Sequence, residues 1–440
     1  MCRSIAPWLE PIGLKAVVAI ADWLHWIRTA CEIVAVLHGM ASVAFSSPGR
    51  DQAVGIDVAS LAGDSSVSDR FSYALPADRI AQEPVEPRSK ARLMDASGLC
   101  VVHRRVFDLA RVLSPGDVLV LNRTRVVRSR LELRKQSGGA AELLLLEEVE
   151  GPERDVVPLG SSSGGREALY RALVRPGRRI RAGTVLELAG EQVAVVESEA
   201  LGADRSRLVR ILDTRIIDTY GLLALPPYIH KPLADPARYQ TVYATSPGSV
   251  AAPTAGLHLT RELLAECVAR GVKVAEVDLA IGIATFRPVE VEDVADHVMH
   301  AEHYSVPEET MNACAVADRV VAVGTTTLRA LETVALSGEL CGTTRLFVHG
   351  EFQFKVVDLL LTNFHQPRSS MLMLVDAFYG PRWRELYATA LSSDYRFLSF
   401  GDAMLLGRGA GRMAVAEERI ATTVPESNKS GTAHGCSGAR

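Results

Sequence analysis

TRELLAECVARGVKVAEVDLAI occupies residues 260–281. It reads as a helix from Thr260 to Arg270, stopped by Gly271 and followed by the strand VKVAEVDLAI. The alternation recurs downstream, where a second helix begins at about Glu308 and the strand RVVAVG ends at Gly324. Upstream, DVLVLN (Asp117 to Asn122) follows the turn Ser114-Pro115-Gly116 and has the pattern of a buried strand. Strands alternating with helices predict an α/β domain. Between Ser129 and Asp213 the text changes. The short β-type runs LELR, AELLLLEEV, LYRALV, RRI, VLELAG, EQVAVVES and RLVRIL are separated by turns at Pro176-Gly177 and Gly183. Strands so closely spaced, with no helical segment between them, predict a small antiparallel barrel. The expected fold class is α/β: a large three-layer α/β/α domain (69–128 and 214–408) interrupted by an inserted small antiparallel β-barrel (129–213).

Residues 1–68 read as a partly helical extension. They close on a Gly/Ser/Asp-rich linker, with Met40 a plausible later start. The apolar run from Ala16 to Phe45 is broken by Asp22, Arg28, Glu32 and His38 before about 18 uncharged residues accumulate, which argues against a membrane span. Residues 409–440 end in SNKSGTAHGCSGAR, a polar tail expected to be mobile.

The chain has 440 residues, 48% of them hydrophobic and 23% charged, with a net charge of −4, so no global polycation advertises nucleic acid. Between Val101 and Arg181, however, 16 Arg and Lys face 10 Asp and Glu, a local balance of +6. That favours a polyanion-facing region. The seven cysteines are scattered and form no CxxC pair, which fits a reducing cytoplasm.

Four stretches carry candidate chemistry. Residues 225–260 crowd Tyr228, His230, Arg238, Tyr239, Gln240, Tyr243, Thr254 and His258 among five prolines, without core periodicity, and read as a substrate-facing loop system. VVAVGTTTLRALE (320–332) is a strand feeding a helix through Gly-Thr-Thr-Thr. Such a turn holds a carboxylate or phosphate with Arg329 as clamp, or is simply a threonine-capped helix. No GxGxxG accompanies it, which excludes a dinucleotide fingerprint. DHVMHAEH (296–303) gathers His297, His300 and Glu302, suited to proton transfer, to substrate binding or to a solvated surface; the spacing matches no standard zinc box. GIATFRPV (282–289), with Thr285 and Phe286, and LTNFHQPRSS (361–370), with Asn363, His365 and Arg368, sit where strand-end loops bind ligands in α/β sheets.

Taken together, LPADRIAQEPVEPRSKARLM, GDVLVLNRTRVV, LPPYI, RYQTVYA, GSVAAPTAGLH, TFRPV, HVMHAE, VGTTTLRALE, VDLLLTNFHQPRSSMLMLVDAF and YRFLSFGDAMLL resemble the S-adenosylmethionine:tRNA ribosyltransferase-isomerases of queuosine synthesis, in collinear order from about Phe71 to Leu406. PTAGLH with TNFH is the most specific part. The resemblance implies an α/β domain with an inserted barrel. It also implies an enzyme that uses S-adenosylmethionine as ribosyl donor, needs no metal or other cofactor, and acts on the aminomethyl group of a 7-deazaguanine in tRNA, releasing adenine and methionine. Carried onto these residues, it suggests His258 or His297 as base, with His300 and Glu302 as orienting or acid partners. Thr325, Thr326 and Arg329 would hold the methionine carboxylate. Arg238, Tyr239 and Gln240 would line the nucleobase pocket, with Thr254, Thr285, Phe286, Asn363 and His365 as further substrate contacts, and Arg123, Arg125, Arg128 and Arg130 would face RNA phosphates. The site is expected between the two folding units.

The chain departs from the family pattern in places. Arg123 stands where the family reads Asp in NDTRV; Gly282-Ile283-Ala284-Thr285-Phe286 replaces GAGTF; His349-Gly350-Glu351 replaces Tyr-Pro-Gly; Leu259 and Gln366 replace the Phe of AGLHF and the Leu of TNFHLP. An amine acceptor other than tRNA, or a non-catalytic RNA-binding relative, would also be compatible with these changes.

Overall fold

The computed structural model describes residues 69–150, 155–160, 165–201, 204–282, 297 and 299–412, all in one compact unit. The expected extension (1–68), Thr285 and Phe286, and most of the expected tail lie outside the described residues.

The chain opens with a hairpin, β1 (Arg92–Ala96) and β2 (Val102–Arg105), a four-residue helix α1 (Leu109–Val112), then β3 (Val118–Asn122) and β4 (Thr124–Val126). The inserted strands are β5 (Arg130–Lys135), β6 (Ala140–Glu150), β7 (Asp155–Val157), β8 (Ala168–Arg175), β9 (Val185–Leu188), β10 (Glu191–Val196) and β11 (Arg207–Ile211). After α2 (Arg215–Tyr220) and β12 (Ser246–Ser249) come α3 (Arg261–Ala269), β13 (Lys273–Leu279), β14 (Glu302–Ser305), α4 (Glu308–Val316), β15 (Val320–Val323) and α5 (Thr325–Ser337). The C-terminal part holds β16 (Cys341–Thr344), β17 (Leu359–Asn363), α6 (Ser370–Tyr379), α7 (Trp383–Ser392) and β18 (Ala403–Gly407).

The large sheet has strand order β16-β14-β13-β3-β15-β17-β18-β1-β2, with β13, β3, β15 and β17 parallel at its centre. A strand covered on both faces must be apolar on both, and β3 is buried at every position. Its Val118 and Val120 pack with Leu328, Leu331, Leu372 and Trp383 on the side of α4 to α7. Its Leu119 and Leu121 pack with Leu109, Leu263 and Cys267 of α1 and α3. This is the expected three-layer α/β/α arrangement. Thr260 starts α3 as expected, its hydroxyl accepting from Leu263 N at 3.2 Å.

The inserted strands close on themselves in the antiparallel order β5-β9-β10-β11-β8-β6, with β6 returning to β5 and β7 added to β6. Period-two alternation sends Leu131, Leu133, Tyr170, Ala172 and Val174 inward, where they fill the barrel. The run RRI (178–180), expected as a strand, is a turn in which Arg179 N donates to Pro176 O at 3.1 Å. The barrel leaves the domain at β4 and the chain returns at β12. The two strands pair in parallel, and Thr124 and Ser249 share a hydroxyl–hydroxyl bond of 2.6 Å.

Candidate active site

At one end of the parallel strands three connections converge. Gly324 joins β15 to α5, residues 364–369 join β17 to α6, and a 3₁₀ turn, Thr254–His258, lies beside them. Together with Tyr228, Leu398 and Ser399 they enclose a cavity with an unfilled volume of about 650 Å³, open mouth included. It is lined by Thr254, Thr325, Thr326, Thr362, Asn363, His365, Gln366, Ser369 and Met371, and among the described residues that line it none is an Asp, Glu, Lys or Arg. All of its lining comes from outside the barrel. The sequence expectation placed the site between the folding units; this cavity instead lies at the strand ends of the α/β domain, where open α/β sheets bind ligands.

The α5 terminus is the cavity's electropositive feature. The sequence also allowed a threonine-capped helix, but the N-cap is Gly324 at φ +91° and makes no side-chain cap. The hydroxyl of Thr325 is engaged elsewhere, donating to Met371 Sδ at 3.0 Å, and Thr326 Oγ1 accepts from Asn122 Nδ2 at 3.4 Å. Among the described residues no side chain caps the N-terminus of this thirteen-residue helix at the cavity wall, and the helix dipole adds positive potential there. By contrast α6 begins with Ser369, whose hydroxyl accepts from Leu372 N at 3.2 Å.

Asn363, the last residue of β17, is the hub of the polar wall. Its Oδ1 accepts from Thr254 Oγ1 at 2.9 Å, while its Nδ2 lies 3.2 Å from Leu398 O and 3.2 Å from His258 Nε2. Burial, helped by the positive charges of Arg396, Arg88 and Arg238, pushes His258 down to about 4. His365 faces the cavity with Nε2 at 2.9 Å from Thr362 Oγ1, and burial pushes it to about 3. Its backbone is held by Tyr387, which accepts from His365 N at 3.0 Å, and by Tyr73, which donates to His365 O. Tyr228 shares a hydroxyl bond of 2.7 Å with Ser399.

The other predicted residues lie apart from this wall. His297 is half-buried, its ring 5.1 Å from that of Phe347, and burial followed by the neighbouring His300 lowers its pKa; His300 is exposed. Glu302 is buried against Arg329, whose Nε donates to Leu346 O at 2.9 Å, so the Arg329 guanidinium is engaged by a carboxylate and a carbonyl and does not line the cavity. Arg238 pairs with Glu86 and donates to Val85 O at 2.9 Å, Tyr239 is fully buried against Phe400, and Gln240 clasps the backbone of Val126 at 3.0 and 2.8 Å. Arg238 and Gln240 fasten the 225–260 loop to the segment before β1 and to β4, and Tyr239 packs it against Phe400. Tyr228, expected in the substrate-facing loop system, lines the cavity, as do Thr362 and Ser369 of the 361–370 stretch; Met371 and Ser399 line it without having been singled out individually, although Ser399 lies within the motif YRFLSFGDAMLL.

A second, larger depression, about 1780 Å³ with its open mouth included, runs between the barrel and the α/β domain and is lined by Arg125, Arg128, Tyr170, Arg215, Gln240 and Pro247 among others. Of the four arginines predicted to face RNA, Arg123 forms a two-point contact with Asp278 at 2.8 and 3.0 Å and Arg130 bonds Glu142 at 2.9 Å. Arg125 and Arg128 are exposed in the depression and have no ion pair among the described residues. No group of three or more His, Cys, Asp or Glu stands together as a metal site among the described residues, and none of their helices is long and apolar enough to cross a membrane.

Most of the chain is similar in sequence to known proteins. Residues 68–406 match the family described as queuosine biosynthesis protein. The chain is 46% identical over 356 residues to the S-adenosylmethionine:tRNA ribosyltransferase-isomerase of Thermotoga maritima, spanning 76% of this chain and 98% of that one. It is 45% identical over 350 residues to the enzyme of the same name from Rubrobacter xylanophilus, spanning 78% and 98%. Among solved structures it is similar to an S-adenosylmethionine tRNA ribosyltransferase from Thermotoga maritima, at 36% identity and a TM-score of 0.42, over 76% of this chain and 99% of that one. With most of its length matched by the family and a β-barrel set into a three-layer α/β domain, the chain belongs to the queuosine biosynthesis family of transferase-isomerases.

Proposed function

We propose that the chain moves the ribosyl group of S-adenosylmethionine onto the aminomethyl group of 7-aminomethyl-7-deazaguanine in tRNA, giving epoxyqueuosine-tRNA, adenine and methionine. It does so in the cytoplasm, with S-adenosylmethionine as co-substrate and no metal or further cofactor. The observation that carries the reading is the identity with relatives of that name over almost their whole length, coinciding with a hydroxyl-rich cavity beside an uncapped helix terminus. The free amides at Thr325 and Thr326 suit the methionine carboxylate. The hydroxyls of Thr254, Thr362 and Ser399 suit the ribose, and a wall whose described residues carry no fixed charge suits a sulfonium, whose own charge then acidifies the adjacent ribose carbon.

Loss of that carbon's proton starts the rearrangement, and protonated adenine is the better leaving group. With the Nε2 of His258 already hydrogen-bonded to Asn363, the base of this reading is His297, with His300 as its partner, on the segment entering β14. The RNA then runs along the depression past Arg125 and Arg128. Incubation with S-adenosylmethionine and tRNA carrying the 7-deazaguanine, followed by mass spectrometry of the nucleosides, is the test. Adenine together with the heavier nucleoside supports the reading. Adenine without RNA modification points to another amine acceptor, and no adenine removes the enzyme from consideration.

A further inference from the structure

We propose that His258 is a positioning residue that holds the Asn363 amide and, through it, the Thr254 hydroxyl, and that it neither takes nor gives a proton during the reaction. The geometry leaves one hydrogen-bond pattern. Leu398 O, 3.2 Å from one end of the Asn363 amide, is a backbone carbonyl and only accepts, so that end is the NH₂. The same NH₂ lies 3.2 Å from His258 Nε2, which must therefore be the unprotonated nitrogen, leaving the ring proton on Nδ1. The Asn363 oxygen then faces Thr254 Oγ1 at 2.9 Å and takes its one hydrogen.

Two consequences follow for the cavity. Thr254 and Asn363 line it and His258 does not, so the imidazole works from behind the wall. Its Nε2 lone pair is already used by Asn363, and the ring is buried, 5% exposed. The Thr254 oxygen, with its hydrogen spent on Asn363, has only lone pairs left for a ligand. It therefore selects a hydrogen-bond donor, a ribose hydroxyl or the α-ammonium of the sulfonium amino acid. A protonated His258 would set N–H against N–H, release the amide and let Thr254 turn.

This rests on the cavity being the site of the sulfonium nucleoside, and the experiment separates the two. The ring nitrogens of ¹⁵N-histidine-labelled wild-type protein are read by NMR between pH 6 and 8. Adenine release from S-adenosylmethionine and modified tRNA is then followed over the same range for wild type, H258Q and H258L. Glutamine places an amide oxygen near the position of Nε2 and has no titrating group, whereas leucine offers no acceptor. The expected result is a neutral Nδ1–H ring, a fall of about 10²-fold in kcat/KM for H258L, recovery by H258Q to within about 10-fold of wild type, and an unmoved acidic limb in H258Q. An Nε2–H or charged ring overturns the proposal even if H258L fails to fold. So does an equal collapse of kcat in both variants with loss of the acidic limb, the mark of a general base. If wild type releases no adenine, it is the functional reading that falls, and the ring's tautomer still decides the role of His258.

Discussion

Two imidazoles, His258 buried and His365 half-buried at the cavity, dominate the chemistry of single residues here. Burial holds His258 at about 4 and His365 at about 3, below the 6.5 of a free histidine. The folded protein thus keeps both rings neutral where the unfolded chain binds protons. The stabilisation from neutral burial is complete above about pH 6.5 and is lost as pH falls toward 4, with a slope of up to about 1.4 kcal/mol per pH unit for each ring. Urea unfolding at pH 7.5, 6 and 5 should show a midpoint that drops with acid, and H365N should flatten the drop. A midpoint independent of pH in wild type would contradict the burial of these rings. Arg123 teaches a different lesson at this scale. Where the family reads an acid, this chain places a guanidinium, and Asp278 and Glu276 of β13 take it up, so the reversed charge is answered on the neighbouring strand.

Among the elements, the α5 terminus links local backbone to ligand. Gly324 sits at φ +91° and ψ 152°, a region open essentially to glycine alone. A Cβ there would meet only Thr326 Oγ1 at 3.6 Å and Ala255 Cβ at 3.9 Å, ordinary contacts, so the obstacle to substitution is the backbone and not space. Gly324→Ala should cost about 1–3 kcal/mol and turn the first amides of α5 away from the cavity. Calorimetric titration with S-adenosylmethionine should show the affinity falling by more than the lost stability accounts for on a still-folded protein. Unchanged affinity would mean that the carboxylate is bound elsewhere. The terminus carries no side-chain cap because its N-cap is a glycine, which has no side-chain oxygen to accept from the first amides.

For the whole molecule, the insertion of the barrel creates a surface that neither part has alone. The depression between them carries Arg125 and Arg128, on the stretch that leads from β4 into β5. Each phosphate contact releases counterions, so replacing both residues by alanine should lower the slope of log affinity against log salt by about 2 for the anticodon stem-loop. Arg130→Ala should leave that slope unchanged, because its guanidinium is held by Glu142 and Glu132. Filter binding from 50 to 200 mM salt checks this, and an equal loss in both variants would refute the assignment of the groove to RNA.

The elements of this protein were legible in its sequence because they follow local rules. The buried strand DVLVLN, the Thr260 cap and Gly271 stop of α3, and the alternating runs of the barrel each depend on residues a few positions apart. RRI was misread because a turn with one apolar residue has the same short pattern as a strand. The motif residues Asn363, His258, Thr254, Thr325 and Thr326 could be picked out from the chain alone, but not what they do. Whether His258 meets solvent or a buried amide, whether Arg329 faces the cavity or Glu302, and whether an arginine is free or paired depend on contacts between elements 27 to 155 residues apart in the chain. Side-chain chemistry is inherited from the sequence; protonation, hydrogen-bond direction and accessibility arise only when folding removes water and sets those distant groups against one another.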